Sequence, residues 1–132
     1  MRGARMEGAV LYEVLIEGAD LRWARMEGAC LYEARMEGAY LYEARMDNRT
    51  MLTAARVSLA AVSTVDYSEV PISLIQVKSM FGDSSVTLPN GITPTHPDWP
   101  EHWPKFDLES QFWDEWQKWK ANPYTYTPPD PP

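Results

Sequence analysis

The side chains best suited to bind a metal are His96 and His102, with the acids Asp98 and Glu101 between them. Zinc requires imidazole, thiolate or carboxylate ligands that converge on one point. The spacing here matches no regular zinc pattern. Two intervening prolines impose an extended chain that spreads the ligands apart. The sequence therefore predicts no metal site and no cofactor.

The chain also lacks a recognisable catalytic nucleophile. Cys30 is the only cysteine, and no histidine lies near it in sequence to act as its base. There is no glycine-rich phosphate loop, and the glutamates recur at regular intervals rather than as a convergent pair. We therefore predict that the chain is not an enzyme. A single cysteine also excludes an intrachain disulfide and favours a reducing compartment.

Charge and hydropathy exclude two further classes of function. The 132 residues include 12 basic and 19 acidic side chains, and the net charge of −7 disfavours direct binding to nucleic acid. No apolar run approaches the roughly 20 residues of a membrane span. The N-terminal residues do not resemble a signal peptide. These features predict a soluble cytoplasmic protein or a component of a virion, without a membrane partner.

A five-residue repeat occupies residues 2–47 and must position any functional side chain. A period of five fits neither a helix nor a strand, whereas one small and one large apolar residue per unit indicates a solenoid. After Met51 the step is six residues, and Arg49 falls where alanine is expected, which marks a bulge or an opened corner. The large residues predicted to point inward are Met6, Leu11, Ile16, Leu21, Met26, Leu31, Met36, Leu41, Met46, Met51, Val57, Val62, Tyr67 and Ile72.

This pattern resembles that of the pentapeptide-repeat family, Ala-(Asp/Asn)-Leu-x-x, and Ala19-Asp20-Leu21 matches its core letter for letter. The resemblance implies a mainly β fold: a right-handed, four-sided β-helix of about 3.5 coils, with about twenty residues in each coil. We assign residues 2–72 to this β-solenoid. Residues 73–104 are assigned to a cap helix and an extended segment rich in proline and tryptophan. Residues 105–132 are assigned to an amphipathic helical arm and a proline-rich tail.

The segment after the repeats begins with a helix signal. Ser73 and Gln76 have the spacing of a capping box, which predicts a short helix over residues 74–81 that covers the last coil. The segment over residues 76–89 contains Ser-x-Phe-Gly-Asp, and His102-Trp103 follows later. These motifs resemble the C-terminal extension of a bacterial and phage-borne subset of the family.

A second helix of about 15 residues is predicted after Asp107, which has the character of an N-cap. Its aromatic face carries Phe112, Trp116 and Trp119, and Trp113 widens that face. Three alternatives remain open for this helix: packing on the solenoid, docking into a partner or second protomer, and insertion at a membrane surface. The last is disfavoured because acids outnumber bases.

Residues twenty positions apart are expected to stack in columns. One column of arginines, Arg5–Arg25–Arg45, beside the acids Glu7, Glu27 and Asp47, predicts a solvated ladder of salt bridges. Outward aromatic columns are expected too, with Tyr12 over Tyr32 and Leu52 below, so that they are either covered by the tail or free to bind. The candidate interaction residues are Tyr12, Trp23, Tyr32, Tyr40, Tyr42, Phe112, Trp113, Trp116 and Trp119.

These observations favour a non-catalytic protein–protein interaction or assembly module, for example a particle- or phage-associated structural subunit. Its partner would be another protein or a second copy of the chain. The family resemblance implies an alternative, a DNA-mimicking modulator of DNA gyrase or topoisomerase. The acids of the repeat are interleaved with arginines, and the predicted rod is short, which disfavours mimicry of a densely charged duplex.

Overall fold

The computed structural model describes residues 2–131, and its first half is a stack of tight turns joined by isolated parallel bridges. Each bridge joins residues twenty or twenty-one positions apart, so the chain completes one circuit in four repeats. We call residues 2–72 the repeat stack. Nine of the ten bridges among the described residues form four columns: Arg5–Arg25–Arg45, Val10–Cys30–Met51, Leu15–Arg35–Arg56, and Asp20–Tyr40–Ala61–Phe81. The tenth bridge joins Asp66 to Thr87.

The predicted mainly β fold, a four-sided β-helix, is wrong. Within residues 2–131 there is no strand longer than a single bridging residue and no sheet. Each five-residue repeat devotes two residues to a turn, so only one residue per repeat remains to form a bridge before the chain changes direction. Arg25, for example, donates its N–H to Ala4 O at 2.8 Å and accepts from Met6 N at 2.8 Å. A continuous ladder cannot develop from such short segments.

The turns require a left-handed backbone at their second residue. Gly8 and Gly28 occupy this position with φ of 65° and 67°, a conformation that glycine adopts without steric cost. Glu13 and Glu33 occupy it at other turns with φ of 56° and 57°. Turn geometry therefore places these glutamates at an outer corner of the stack.

The interior is built from the predicted alternation of small and large apolar residues. Leu21, Met26 and Leu31 are completely buried, and so are the small residues Ala24 and Ala29 that alternate with them. Dense packing of these residues along the axis supplies the apolar burial that stabilises the stack.

The irregular step lies earlier than the sequence suggested. Met51 was predicted to point inward, but its side chain is 46% exposed, and Leu52 is buried at 3%. The small position is filled by Thr50, whose hydroxyl donates to Met26 O at 2.9 Å. Asp47 accepts from Gly28 N at 3.0 Å and from Arg49 N at 3.0 Å. The extra residue is thus accommodated in an exposed turn, and Arg49 does not occupy the alanine position.

Helix α1 spans Leu74–Ser79, two residues shorter than predicted. The capping box is present, since Ser73 Oγ accepts from Gln76 N and Gln76 Oε1 accepts from Ser73 N. Gln76 Nε2 also donates to the carbonyls of Leu52 and Ala55 at 2.7 and 3.1 Å. These bonds satisfy backbone acceptors of the last coil, so α1 acts as a cap for the repeat stack.

Helix α2 spans Phe112–Ala121 and follows a 3-10 turn at Glu109–Gln111; another 3-10 turn covers Pro89–Gly91. The helix begins later than predicted, and Asp107 is not its N-cap. Asp107 Oδ1 instead accepts from Glu109 N at 2.9 Å and so organises the preceding turn.

Candidate functional site

Helix α2 packs on the repeat stack of its own chain, against the column that ends in Ala61 and Phe81. Phe112, Trp116 and Trp119 are 3%, 2% and 4% exposed within this second apolar cluster. Trp116 Nε1 donates to Leu59 O at 3.0 Å, which also satisfies the polar atom of the indole. Packing on the stack is therefore the alternative that the structure adopts. Three of the candidate interaction residues are occupied by intramolecular contacts.

Two hydrogen bonds from His102 and Trp103 hold the extended segment against the residues that follow helix α1. Met80 O accepts from His102 Nε2 at 2.6 Å and from Trp103 Nε1 at 2.9 Å. The imidazole of His102 stacks on Trp119, with ring centroids 4.9 Å apart. A Cβ at Gly82 would lie 2.8 Å from the Trp103 ring, so only glycine fits at that position without displacing the indole. Burial lowers the pKa of His102.

Asp83 links the cap to the segment that leads into α2. Its buried carboxylate accepts from Leu108 N at 2.8 Å, from Ser85 N at 2.9 Å and from the Ser85 hydroxyl. Burial raises the pKa of this carboxyl although all these donors favour its charged form. The Phe-Gly-Asp and His-Trp motifs thus serve to hold the C-terminal segment in place.

The candidate metal ligands are engaged separately. His96 Nδ1 accepts from Asp98 N at 3.0 Å, whereas His102 contacts Met80 O. Across residues 2–131, no group of three histidine, cysteine or acidic side chains is arranged to hold a metal ion.

One exposed aromatic group surrounds Trp23, at a corner next to the α2 column. Trp23 packs edge-on against Tyr42 at 5.7 Å, and its Nε1 donates to Glu43 Oε2 at 2.9 Å. The Arg22 guanidinium lies over both Trp23 and Tyr40, at 5.7 and 5.4 Å from the ring centroids.

The same corner is braced by an ion pair and by helix α2. Arg22 pairs with Asp20 at 2.7 Å and lowers the pKa of that carboxyl to about 2. Tyr40 contacts Trp113 at 5.6 Å, and Trp113 remains 51% exposed. These side chains therefore mainly support one another and the helix.

A second exposed group lies half a circuit away, and we call it the tyrosine strip: Val10, Tyr12, Cys30, Tyr32 and Met51. Tyr12 and Tyr32 pack edge-to-face at 6.1 Å, as the predicted stacking requires. Their side chains are 60% and 40% exposed, and Val10 and Met51 are 69% and 46% exposed. Leu52, predicted to continue this column, is buried instead. Sequence reasoning missed Met51 because it placed the extra residue after this methionine.

Acidic side chains flank the tyrosine strip on both sides. Glu7, Glu27 and Asp47 occupy the turns before it, and Glu13 and Glu33 occupy the turns after it.

The predicted salt-bridge ladder is wrong. Over the described part of the chain, no contact within 4.0 Å joins the Arg5–Arg25–Arg45 column to these acids, and Asp47 pairs with Arg49 at 3.4 Å. Solvated ion pairs contribute too little to hold such side chains in one geometry.

The repeats match a sequence model of pentapeptide repeats in eight copies, over residues 1–28 and 19–48. Residues 1–48 of the chain belong to the pentapeptide-repeat family. This family is generally non-catalytic. The match ends within the irregular turn, so the resemblance of the C-terminal segment to a bacterial and phage subset stays a prediction. No curated protein matches the chain.

The helices of this pentapeptide-repeat chain are short. None of those within residues 2–131 has the length and apolar character that crossing a bilayer requires.

Proposed function

We propose that this pentapeptide-repeat chain is a non-catalytic protein–protein interaction module that binds its partner through the tyrosine strip. The observation that carries the proposal is the contrast between the aromatic groups. Phe112, Trp116 and Trp119 are buried where helix α2 packs on the stack. Tyr12 and Tyr32, by contrast, project from the stack, and no element of residues 2–131 covers them.

The strip has the physical properties of a binding surface. Its residues stand on a backbone fixed by inter-coil hydrogen bonds, for example Cys30 N to Ala9 O and Met51 N to Ala29 O at 2.8 and 2.9 Å. Binding would therefore order few degrees of freedom, and tyrosine offers a large contact area with little rotamer entropy to lose. Aromatic side chains at the centre of an interface commonly dominate its energy.

The charge distribution favours this function over DNA mimicry. A mimic of a duplex requires a dense and continuous array of negative charge. Here Arg5, Arg25 and Arg45 form a bridge column directly before the turns that carry Glu7, Glu27 and Asp47. The surface consequently alternates in sign around each circuit.

Site-specific photocrosslinking tests the proposal. A benzophenone side chain at Tyr32 should form crosslinks to protein in the native host or to a second copy of the chain. The same group at exposed Glu69, on another turn, serves as the matched control. Light scattering of the purified chain identifies self-association. Equal or absent crosslinking at the two positions would rule out the strip as an interaction surface.

A further inference from the structure

We propose that the tyrosine strip binds a cationic amphipathic segment of a partner protein. The apolar side chains of that segment would cover the strip, and its lysines or arginines would lie along both sides. This inference rests on the proposed function and adds the chemical class of the partner.

The first support is the order of residues across the strip. The column Val10–Cys30–Met51 is the apolar centre, because Val10 and Met51 are 69% and 46% exposed and Cys30 lies buried between them. The turn before it presents Glu7, and the turn after it presents Tyr12 and Glu13. The next coil repeats this order, with Glu27 before the column and Tyr32-Glu33 after it. An apolar surface is thus bounded by acids on both long sides.

The second support is that few of the acids along the strip form an ion pair. Arg49 is paired with Asp47 at one end of one acidic side. Basic columns lie one side further round the stack in both directions: Arg5–Arg25–Arg45 precedes Glu7 and Glu27, and Leu15–Arg35–Arg56 follows Glu13 and Glu33. In the described residues, neither Glu13 nor Glu33 is within 4.0 Å of a basic group. A partner's cations would therefore meet carboxylates that no arginine or lysine already holds.

The third support is the poor fit of a second copy. Two strips placed face to face would bring acidic borders together, and the whole chain already has a net charge of −7. Like charges opposed across an interface disfavour association, whereas opposite charges accelerate and orient it. The strip is therefore suited to a basic foreign segment rather than to itself.

The dimensions of the strip fit one helical segment. Three residues in one bridge column span about 10 Å along the stack at a strand-like separation of about 4.8 Å. Such a length corresponds to about two turns of an α-helix, whose diameter of about 10 Å would reach both acidic borders. The binding mode would be that of an amphipathic helix whose apolar face lies along the strip.

A pair of designed peptides tests this inference. One is an amphipathic helix of about four turns with leucine on one face and lysine on the other, and its counterpart replaces every lysine by glutamate. Binding of each labelled peptide to the full chain is measured by fluorescence anisotropy at low and high salt. We expect only the lysine peptide to bind, and its affinity to fall as salt rises.

Three variants separate the strip from general charge attraction. Tyr12→Ser with Tyr32→Ser should abolish binding. Glu13→Gln with Glu33→Gln should weaken it about two- to tenfold, as expected for two surface charge contacts. The control, Glu69→Gln with Glu101→Gln, removes the same charge from exposed positions elsewhere and should leave binding unchanged. Circular dichroism checks that each variant is folded.

Several outcomes would overturn the inference: no binding of the lysine peptide, equal binding of both peptides, or binding that survives the double tyrosine substitution. A partner segment crosslinked at Tyr32 that proves acidic, or a crosslink to a second copy, would also overturn it while leaving the proposed function intact. Failure of any protein to crosslink at Tyr32 would instead remove the proposed function.

Discussion

At the scale of single residues, hydrogen bonds of buried polar groups select one arrangement of the chain where apolar packing alone would allow several. Thr50 fills an alanine position because its hydroxyl is satisfied by Met26 O. Asp83 is buried with donors on both carboxylate oxygens, and His102 is held by Met80 O. A buried polar group without its partner costs about 1–3 kcal/mol, so each of these residues specifies one arrangement of its neighbours.

The depressed pKa of His102 makes the stability of the chain depend on pH. Burial lowers this pKa below its ordinary value of 6.5, so the unfolded state binds the proton more readily. The neutral His102 side chain therefore makes its full contribution to the free energy of unfolding above pH 6.5. That free energy falls as the pH drops from 6.5 toward the folded-state pKa, by at most about 1.4 kcal/mol per pH unit. We expect urea unfolding to show falling stability from neutral pH downward.

His102→Gln is the matched variant for this prediction, because a side-chain amide can still donate to Met80 O but does not titrate. Its stability should change less over the same pH range. Asp83 acts in the opposite direction, since burial raises its pKa and protonation then favours the folded state as pH falls. The difference between wild type and His102→Gln removes this common effect. Parallel pH profiles for the two proteins would refute the assignment.

At the scale of elements, helix α2 serves as a side wall of the repeat stack. Phe81 follows α1 in the chain and forms a bridge with Ala61, and α2 covers both residues. The tail is held as well, since Tyr126 O–H donates to Glu115 Oε1 at 2.8 Å and its ring packs on Phe81. Most of the amphipathic face therefore faces inward.

Two tryptophans one turn apart in α2 test this description. Trp116→Ala should lower the free energy of unfolding by about 3–5 kcal/mol, because it leaves a cavity and frees Leu59 O. Trp113→Ala should cost much less, since that side chain is half exposed and packs only on the rings of Tyr40 and Trp116 at the edge of the cluster. Urea titration of both variants measures the difference. Similar losses would indicate that α2 is not anchored through Trp116.

At the scale of the whole molecule, two apolar clusters meet at adjacent residues. Met80 belongs to the core of the repeat stack, and Phe81 belongs to the cluster beneath α2. Likewise Trp103 packs in the first cluster, while its neighbour His102 stacks on Trp119 in the second. Loss of one cluster must disturb the other. The division into segments 2–72, 73–104 and 105–132 stays a prediction about sequence organisation.

This junction predicts a single unfolding transition for the whole chain. Tryptophan fluorescence reports mainly on the C-terminal segment, whereas far-ultraviolet circular dichroism reports on the backbone of the entire chain. We expect both signals to change at the same urea concentration, as a two-state transition requires. Fluorescence that changes before the dichroism would show that α2 separates from an intact repeat stack.

The sequence by itself determined which residues of the regular repeats lie inside. A period of five with one small and one large apolar residue leaves a single arrangement that buries Leu21, Met26 and Leu31 while exposing the charged residues between them. The capping box at Ser73 and Gln76 likewise determined where α1 begins, because its two hydrogen bonds are local. The family could also be recognised from the repeat itself.

Tertiary structure alone decided the features that depend on contacts distant in sequence. Met51 and Leu52 are both apolar, and only the bond from Thr50 to Met26 O shows which of them points inward. The amphipathic pattern of α2 was compatible with packing on the repeat stack, on a partner or on a membrane surface. The bridge between Ala61 and Phe81 forms the apolar surface that α2 covers. Bridges remained isolated because the turns recur before a ladder can extend. Long-range hydrogen bonding and packing therefore selected among arrangements that local periodicity left equivalent.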